Sequence, residues 1–222
     1  MAYPAGRTAA YTVPENVRYI GSCAFAYTKA SSVDLGSVTE IGGSAFAASS
    51  LSAVVIPDTV ISMGQYAFQS SAYLSSVKIG SGLRDISKEA FEYCSNLSEI
   101  TIPAGIESIG DYAFADTAIA GSVTIPASLE SLGGGVFGAC HALTEIKVES
   151  GNKAYTDIDG VVYTKDGKVN AIDLTILRRY LARYSSEIDI SVADFNGDGK
   201  VNTLDLMLLR RFLVGYDSVL GK

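Results

Sequence analysis

The stretch Asp194-Phe195-Asn196-Gly197-Asp198-Gly199-Lys200-Val201-Asn202-Thr203-Leu204-Asp205 places side-chain oxygens at positions 1, 3, 5, 9 and 12 of twelve. Lys200, at position 7, adds a backbone carbonyl, and Gly199 at position 6 permits a sharp bend. A hard cation such as Ca2+ takes about 6–8 oxygens at roughly 2.4 Å, and alternate residues of a tightly turned loop aim theirs inward. Asp205 at position 12 is shorter than the usual Glu, so it must approach more closely to bind through both oxygens. Asn-Gly and Asp-Gly are also ordinary turn formers, so a solvated acidic turn is the plain alternative. Five oxygen positions in register, followed at once by Leu206-Met207-Leu208-Leu209-Arg210-Arg211-Phe212-Leu213, favour calcium.

The schedule is that of an EF-hand loop, and the segment occurs twice. Asp166 to Tyr184 aligns without a gap on Asp198 to Tyr216, 32 residues later, sharing DGKVN, Asp-Leu, Leu-Arg-Arg and a closing Tyr. Such internal similarity marks a duplicated loop-helix unit. In this pairing the chain closely resembles a type I dockerin, the module that plugs cellulosomal proteins into the cohesins of a bacterial scaffoldin. The resemblance covers about a quarter of the chain and implies a calcium-dependent, cohesin-binding, all-α module with two ions, in a secreted protein of polysaccharide-degrading assemblies.

Leu174, Leu177 and Leu181 recur at helical spacing, as do Leu206, Leu209 and Leu213, so these faces are expected to pack on each other. The resemblance assigns cohesin contact to Ala171, Ile172, Arg178, Arg179 and Arg183 in the first unit and to Thr203, Leu204, Arg210 and Arg211 in the second. An exposed Ile or Leu beside paired arginines suits an anchor with a charged rim, although arginines on helices are also often just solvated. Near-identity of the units implies that a half-turn would present similar residues. Ala171/Thr203, Ile172/Leu204 and Arg183/Gly215 are the differences that would bias one orientation.

The second loop takes calcium through Asp194, Asn196, Asp198, Lys200, Asn202 and Asp205. In the first, Asp173 closes the loop, and counting back places Asn170, Lys168 and Asp166 at positions 9, 7 and 5, Thr164 at 3 and Val162 at 1. Valine has no oxygen to give. Either the loop is enlarged, with Asp157 and Asp159 at positions 1 and 3 and residues 160–165 looped out, or the site is weak or empty. Uncompensated Asp166 and Asp173 tip the balance toward a bound, atypical ion.

Across 222 residues the net charge is −7, which argues against a nucleic-acid partner. No run of 18 apolar residues exists to span a membrane. Met1 to Arg7 lacks the basic start and apolar stretch of a signal peptide; the dockerin resemblance favours a mature or truncated secreted chain over an intracellular one. Cys23, Cys94 and Cys140 match neither a zinc site nor a disulfide framework. Cys94 and Cys140 each follow a repeat Phe by three residues and lie two repeats apart, about 10 Å at strand spacing, so they are expected to be small buried hydrophobes rather than a bridge.

A second repeat governs residues 11 to about 163. Phe25, Phe46, Phe68, Phe91, Phe114 and Phe137 follow one another at intervals of 21, 22, 23, 23 and 23 residues. Apolar pairs precede each, as in Val38/Ile41-Gly42, Val60/Met63-Gly64, Ile106/Ile109-Gly110 and Leu129/Leu132-Gly133. Alternating runs follow: Val54-Val55-Ile56, Val77-Lys78-Ile79, Ile100-Thr101-Ile102, Val123-Thr124-Ile125 and Ile146-Lys147-Val148, which predict short strands with one buried face. Pro14, Pro57, Pro103 and Pro126 end them, since proline cannot donate to a ladder. Leu51, Leu74, Leu97 and Leu143 are expected to form one core ladder. The pattern resembles the BspA-type bacterial leucine-rich repeat over about two thirds of the chain, and residues 152–168 resemble the hairpin that closes such domains.

Together these readings predict an α+β chain of two domains: a leucine-rich-repeat solenoid with short parallel strands at 1–163, then a small all-α dockerin with two EF-hand-like loop-helix units at 164–222. The first calcium loop overlaps the junction from about 157, with no floppy linker, so a fixed orientation between the two is expected. Outward strand residues Asp34, Val55, Lys78, Thr101, Thr124 and Lys147 form no aromatic hot spot, and the solenoid's ligand is not legible. Tyr66, Tyr93 and Tyr112 are either surface anchors or, more economically, covers for the coil corners, ring buried and hydroxyl wet. The lone His141 beside Cys140 has no nucleophile and orienting partner around it, so an enzyme is not expected. A calcium-binding surface adhesin or a calmodulin-like switch is the alternative, weakened for the switch because Met207 stands alone on the helices.

Overall fold

The computed structural model describes residue 6 and residues 8–158 and 161–165. In chain order the strands are β1 (Tyr11–Thr12), β2 (Tyr19–Ile20), β3 (Val33–Asp34), β4 (Glu40–Ile41), β5 (Ala53–Ile56), β6 (Ser62–Met63) and β7 (Ser76–Ile79), then β8 (Asp85–Ile86), β9 (Ser108–Ile109), β10 (Gly121–Ile125), β11 (Ser131–Leu132), β12 (Leu143–Val148), β13 (Tyr155–Ile158) and β14 (Val161–Thr164). All pairings up to β12 are parallel, and residues about one coil apart face each other, as in Val54 with Val77 and Ile41 with Met63. Only the terminal β13–β14 hairpin is antiparallel.

The expected α+β class is corrected: the fold is all-β, with no helix among the described residues. The all-α unit was read from residues 164–222; of these Thr164 ends strand β14, and 166–222 lie outside the described residues. Within the solenoid the physical reason is visible at every corner. Non-glycine residues two before and two after the repeat Phe have positive φ, such as Ser44 (53°) and Ala48 (52°), or Tyr66 (63°) and Ser70 (59°). Left-handed residues at that spacing interrupt any helix.

What holds this unfavourable backbone is complete hydrogen bonding. Ser44, Phe46 and Ala48 donate their N–H groups to Gln65, Ala67 and Gln69 of the next coil at 2.7–2.9 Å. The intervening Ala45, Ala47 and Ser49 close turns onto Gly42, Ser44 and Phe46. The inter-coil bonds recur from the Phe25 coil to the Phe114 coil, so left-handed donors at these corners are paired, and the local strain of about 1–3 kcal/mol per left-handed residue is offset.

The interior is one stack. Phe46, Phe68, Phe91 and Phe114 are fully buried, and successive rings lie 5.0–5.4 Å apart, within 5° of parallel. Tyr11 tilts onto Phe25 at 5.6 Å to cover the first ring. Close approach of coils is possible because the residue four before Phe is small. A Cβ on Gly64 would meet Gly43 N at 2.4 Å, backbone against backbone.

Three details depart from the repeat pattern. Ile100-Thr101-Ile102 forms no strand, and the strand ribbon is also unpaired between β3 and β5. The neighbouring coil explains the first: Ile119 is fully buried one residue earlier than the leucine ladder predicts, Ala120 is exposed, Gly121 has φ 69°, and the β10–β12 register shifts at Gly121/Ser122. Third, Tyr93 and Tyr112 do not bury their rings as corner covers. They are 51% and 48% exposed, whereas Tyr66 at the same register is half-buried, and the Tyr112 ring still lies over Gly135 of the next coil.

Candidate functional site

Of the sequence-derived metal and cohesin residues, Asp157 alone is among the described residues. Asp159, Asp166, Lys168, Asn170, Asp173, the loop from Asp194 to Asp205, and Ala171, Ile172, Arg178, Arg179, Arg183, Thr203, Leu204, Arg210 and Arg211 lie outside them. Among the described residues no group of three or more His, Cys, Asp or Glu side chains is placed to hold a metal, and no helix is long and apolar enough to cross a membrane.

The candidate site is therefore approached from its solenoid side. After β12 the chain turns at Gly151, with φ 94°, into the buried Asn152. Its side-chain amide nitrogen donates to the carbonyls of Pro126 (2.9 Å) and Leu129 (3.0 Å) in the preceding coil, while its oxygen accepts the N–H groups of Ala154 and Tyr155 at 2.8 and 2.7 Å. One side chain thus meets four backbone groups. Tyr155 is buried, and its hydroxyl accepts the Leu132 N–H at 2.8 Å, so the ring ends the core while the oxygen satisfies an edge donor. Nothing in the sequence pattern singles out Asn152, because the two carbonyls its nitrogen reaches belong to another coil.

The hairpin built on this cap decides where the candidate ligands go. Tyr155 pairs with Thr164, Asp157 with Val162 and Ile158 with Val161. Lys165 continues the ladder, donating its N–H to the Ala154 carbonyl at 2.8 Å, and its ammonium donates to the Asn152 carbonyl at 2.6 Å. Val162 is buried. Asp157 turns its carboxylate to the last coil, where Oδ1 accepts the Val148 N–H at 2.7 Å. That bond closes the edge of β12, the final strand of the stack.

The rest of the solenoid carries no catalytic constellation. Cys94 and Cys140 are buried thiols, in no disulfide, and donate Sγ–H to the carbonyls of Phe68 (3.2 Å) and Phe114 (3.1 Å). Burial pushes the Cys94 thiol up to about 12, so it is not a thiolate nucleophile. Thr28, Ser49, Ser71 and Thr117 occupy the same register three residues after Phe, also buried. The Ser71 hydroxyl donates to Phe46 O at 2.8 Å. Aligning the repeat on Phe would have shown this Thr, Ser, Ser, Cys, Thr, Cys column, which the cysteines alone concealed. His141 is exposed, and Cys23 is exposed. On the surface, Gln69 Nε2 bridges Glu89 (2.9 Å) and Glu92 (2.7 Å), and burial chiefly raises the Glu92 carboxyl.

The family model for BspA-type leucine-rich repeat regions matches residues 7–120 and 63–176, and that for the dockerin type I domain matches residues 163–214. The two matches share residues 163–176, the end of the hairpin and the start of the first loop. Both are families of protein-interaction modules without catalytic chemistry of their own. Comparison with curated proteins finds no match. Among solved structures, a leucine rich cell surface protein from Faecalibacterium prausnitzii A2-165 is 28% identical at TM-score 0.54, covering 70% of this chain and 51% of that one. The pneumococcal vaccine antigen PcpA is 24% identical at TM-score 0.48, with 73% and 36% covered. A leucine rich repeat protein of T. pallidum is 24% identical at TM-score 0.48, with 64% and 59% covered. The chain thus spans about a third to three fifths of these relatives. On the stacked coils, the repeat register and the matched 7–176 span, the chain belongs to the BspA-type leucine-rich repeat family and carries a type I dockerin domain at 163–214.

Proposed function

We propose that this chain is a non-catalytic component of a scaffolded extracellular assembly. Its 164–222 module docks into a cohesin of a bacterial scaffoldin and grips calcium to do so, while the 1–163 solenoid is the interaction surface it delivers. The observation that carries the reading is the oxygen schedule from Asp194 to Asp205 inside the dockerin match at 163–214. A loop with five acidic or amide ligands in register orders only around a cation, which ties docking to calcium. Recognition is assigned to Ile172 and Leu204 as apolar anchors, with Arg178, Arg179, Arg210 and Arg211 as the charged rim. Residence outside the cell follows from the same pairing, since cohesins are displayed there, and the Faecalibacterium relative is described as a cell surface protein.

The test is capture of the full chain on immobilised type I cohesins in calcium and in chelator. We expect saturable binding in calcium that falls at least about 100-fold on chelation, and a comparable loss when all four arginines become Ala, given hot-spot costs of about 2–4 kcal/mol. Unaltered affinity of the Arg variant discards the named surface. Failure to bind any type I cohesin in calcium sinks the docking reading.

A further inference from the structure

We propose that the chain holds a single tightly bound calcium ion, at Asp194 to Asp205, because the opening half of the duplicated first loop has been spent on closing the solenoid. The inference rests on the calcium-gripping reading above and sets its stoichiometry.

Both ways of completing the first loop meet the hairpin. In the direct register, position 1 is Val162, an apolar side chain buried in the cap and paired with Asp157, and position 3 is Thr164, paired with Tyr155. Extended, laddered backbone at positions 1 and 3 is the opposite of the tight turn that aims alternate oxygens at one ion. In the enlarged register, Asp157 takes position 1 and residues 160–165 loop out. Residues 161–164 are instead strand β14, and Lys165 is held opposite Ala154. Asp157 lies three residues beyond Ala154 along the strand, about 10 Å at roughly 3.4 Å per residue, and so that far along the hairpin from Lys165. Ligands on one calcium ion all lie within about 2.6 Å of it. The Asp157 carboxylate is moreover engaged by the Val148 N–H on the solenoid side. Recruiting it would open the ladder and expose the β12 edge.

The donor set of the first loop therefore does not fit calcium while the cap is formed, and that of the second does. The duplication has kept its sequence at 166–184, while positions 1 and 3 of the direct register serve as a strand of the closing hairpin.

Metal-stripped full chain, titrated with Ca2+ by isothermal calorimetry and counted by native mass spectrometry, tests this. One equivalent is expected. In Asp194→Ala the count falls from one to none, and in Asp157→Asn, whose amide oxygen still accepts from Val148, it stays at one. Two equivalents in the unaltered chain, an ion retained in Asp194→Ala, or an ion lost in Asp157→Asn overturns the proposal. Two ions with calcium-dependent cohesin capture would overturn the stoichiometry alone. No ion taken up would overturn both this inference and the calcium dependence of docking.

Discussion

The corner of the solenoid runs unbroken through every coil, whereas the strand ribbon on the other side of the same core is interrupted between β3 and β5 and again at Ile100-Thr101-Ile102. Both faces are made of the same repeats. They differ in spacing. From the small residue four before Phe to the hydroxyl or thiol three after it, every coil has the same length, so from Cys23 to Asp116 each left-handed donor finds a carbonyl in the next coil. The change of period from 21 to 23 residues is absorbed elsewhere, at the turn with Gly36 and between the repeat Phe and the leucine ladder. Cooperativity in a stack of this kind resides in nearest-neighbour contacts, so the face with invariant spacing is expected to carry most of the stability.

Three experiments would break or sharpen that contrast. The largest effect is expected for Phe68→Ala, which removes a fully buried ring stacked on Phe46 and Phe91 at 5.0 and 5.3 Å. A loss of about 3–5 kcal/mol in urea unfolding is expected, against less than about 0.5 kcal/mol for Thr101→Ala in the unpaired ribbon. Equal losses would refute the division of labour.

A middle effect belongs to the buried polar column. Ser71→Ala deletes the donor to Phe46 O and leaves Ser49, 3.0 Å away, short of a partner. About 1–3 kcal/mol is expected, with most of it restored in Ser71→Cys, because Cys94 and Cys140 already perform that role one and three coils along the same register. If Cys rescues no better than Ala, volume rather than hydrogen bonding decides the position.

The smallest effect is a pH dependence. Burial raises the Cys94 thiol from 9.0 to about 12, so its folded form favours the proton. Stability from the neutral thiol is complete below the unfolded value and is lost as pH climbs from about 9 toward 12. Compared with Cys94→Ser, the unaltered chain should lose relative melting temperature across that window. At pH 8 iodoacetamide should label the exposed Cys23 and spare Cys94 and Cys140 until the chain unfolds; equal labelling would mean that the corner opens readily.

The corner was readable from Phe spacing because each of its contacts is made by the same residue type at the same offset. The hydroxyl column escaped notice because Ser and Thr at a buried position look like surface residues until the carbonyl above them is seen. The absent strand at 100–102 was not readable, since it depends on Gly121 in the next coil, and neither was the exposure of Tyr93 and Tyr112, at a register where Tyr66 is half-buried. At the junction, Val162 already announced a missing ligand at the first loop. That Val162 is buried opposite Asp157 in the closing hairpin was hidden in a strand pairing that residue types alone do not fix.

Sequence alone established the repeat, its period, the inward residues and the acidic loop at 194–205, because these follow from residue types at regular intervals along one chain. Only the tertiary structure decided how the stack ends: Asn152 reaches back to Pro126 and Leu129, Tyr155 to Leu132, and Asp157 to Val148. The last coil has no successor to satisfy its edge, so backbone amides and carbonyls there recruit whichever side-chain acceptor or donor the returning hairpin brings within reach, and that choice is made in space rather than in register.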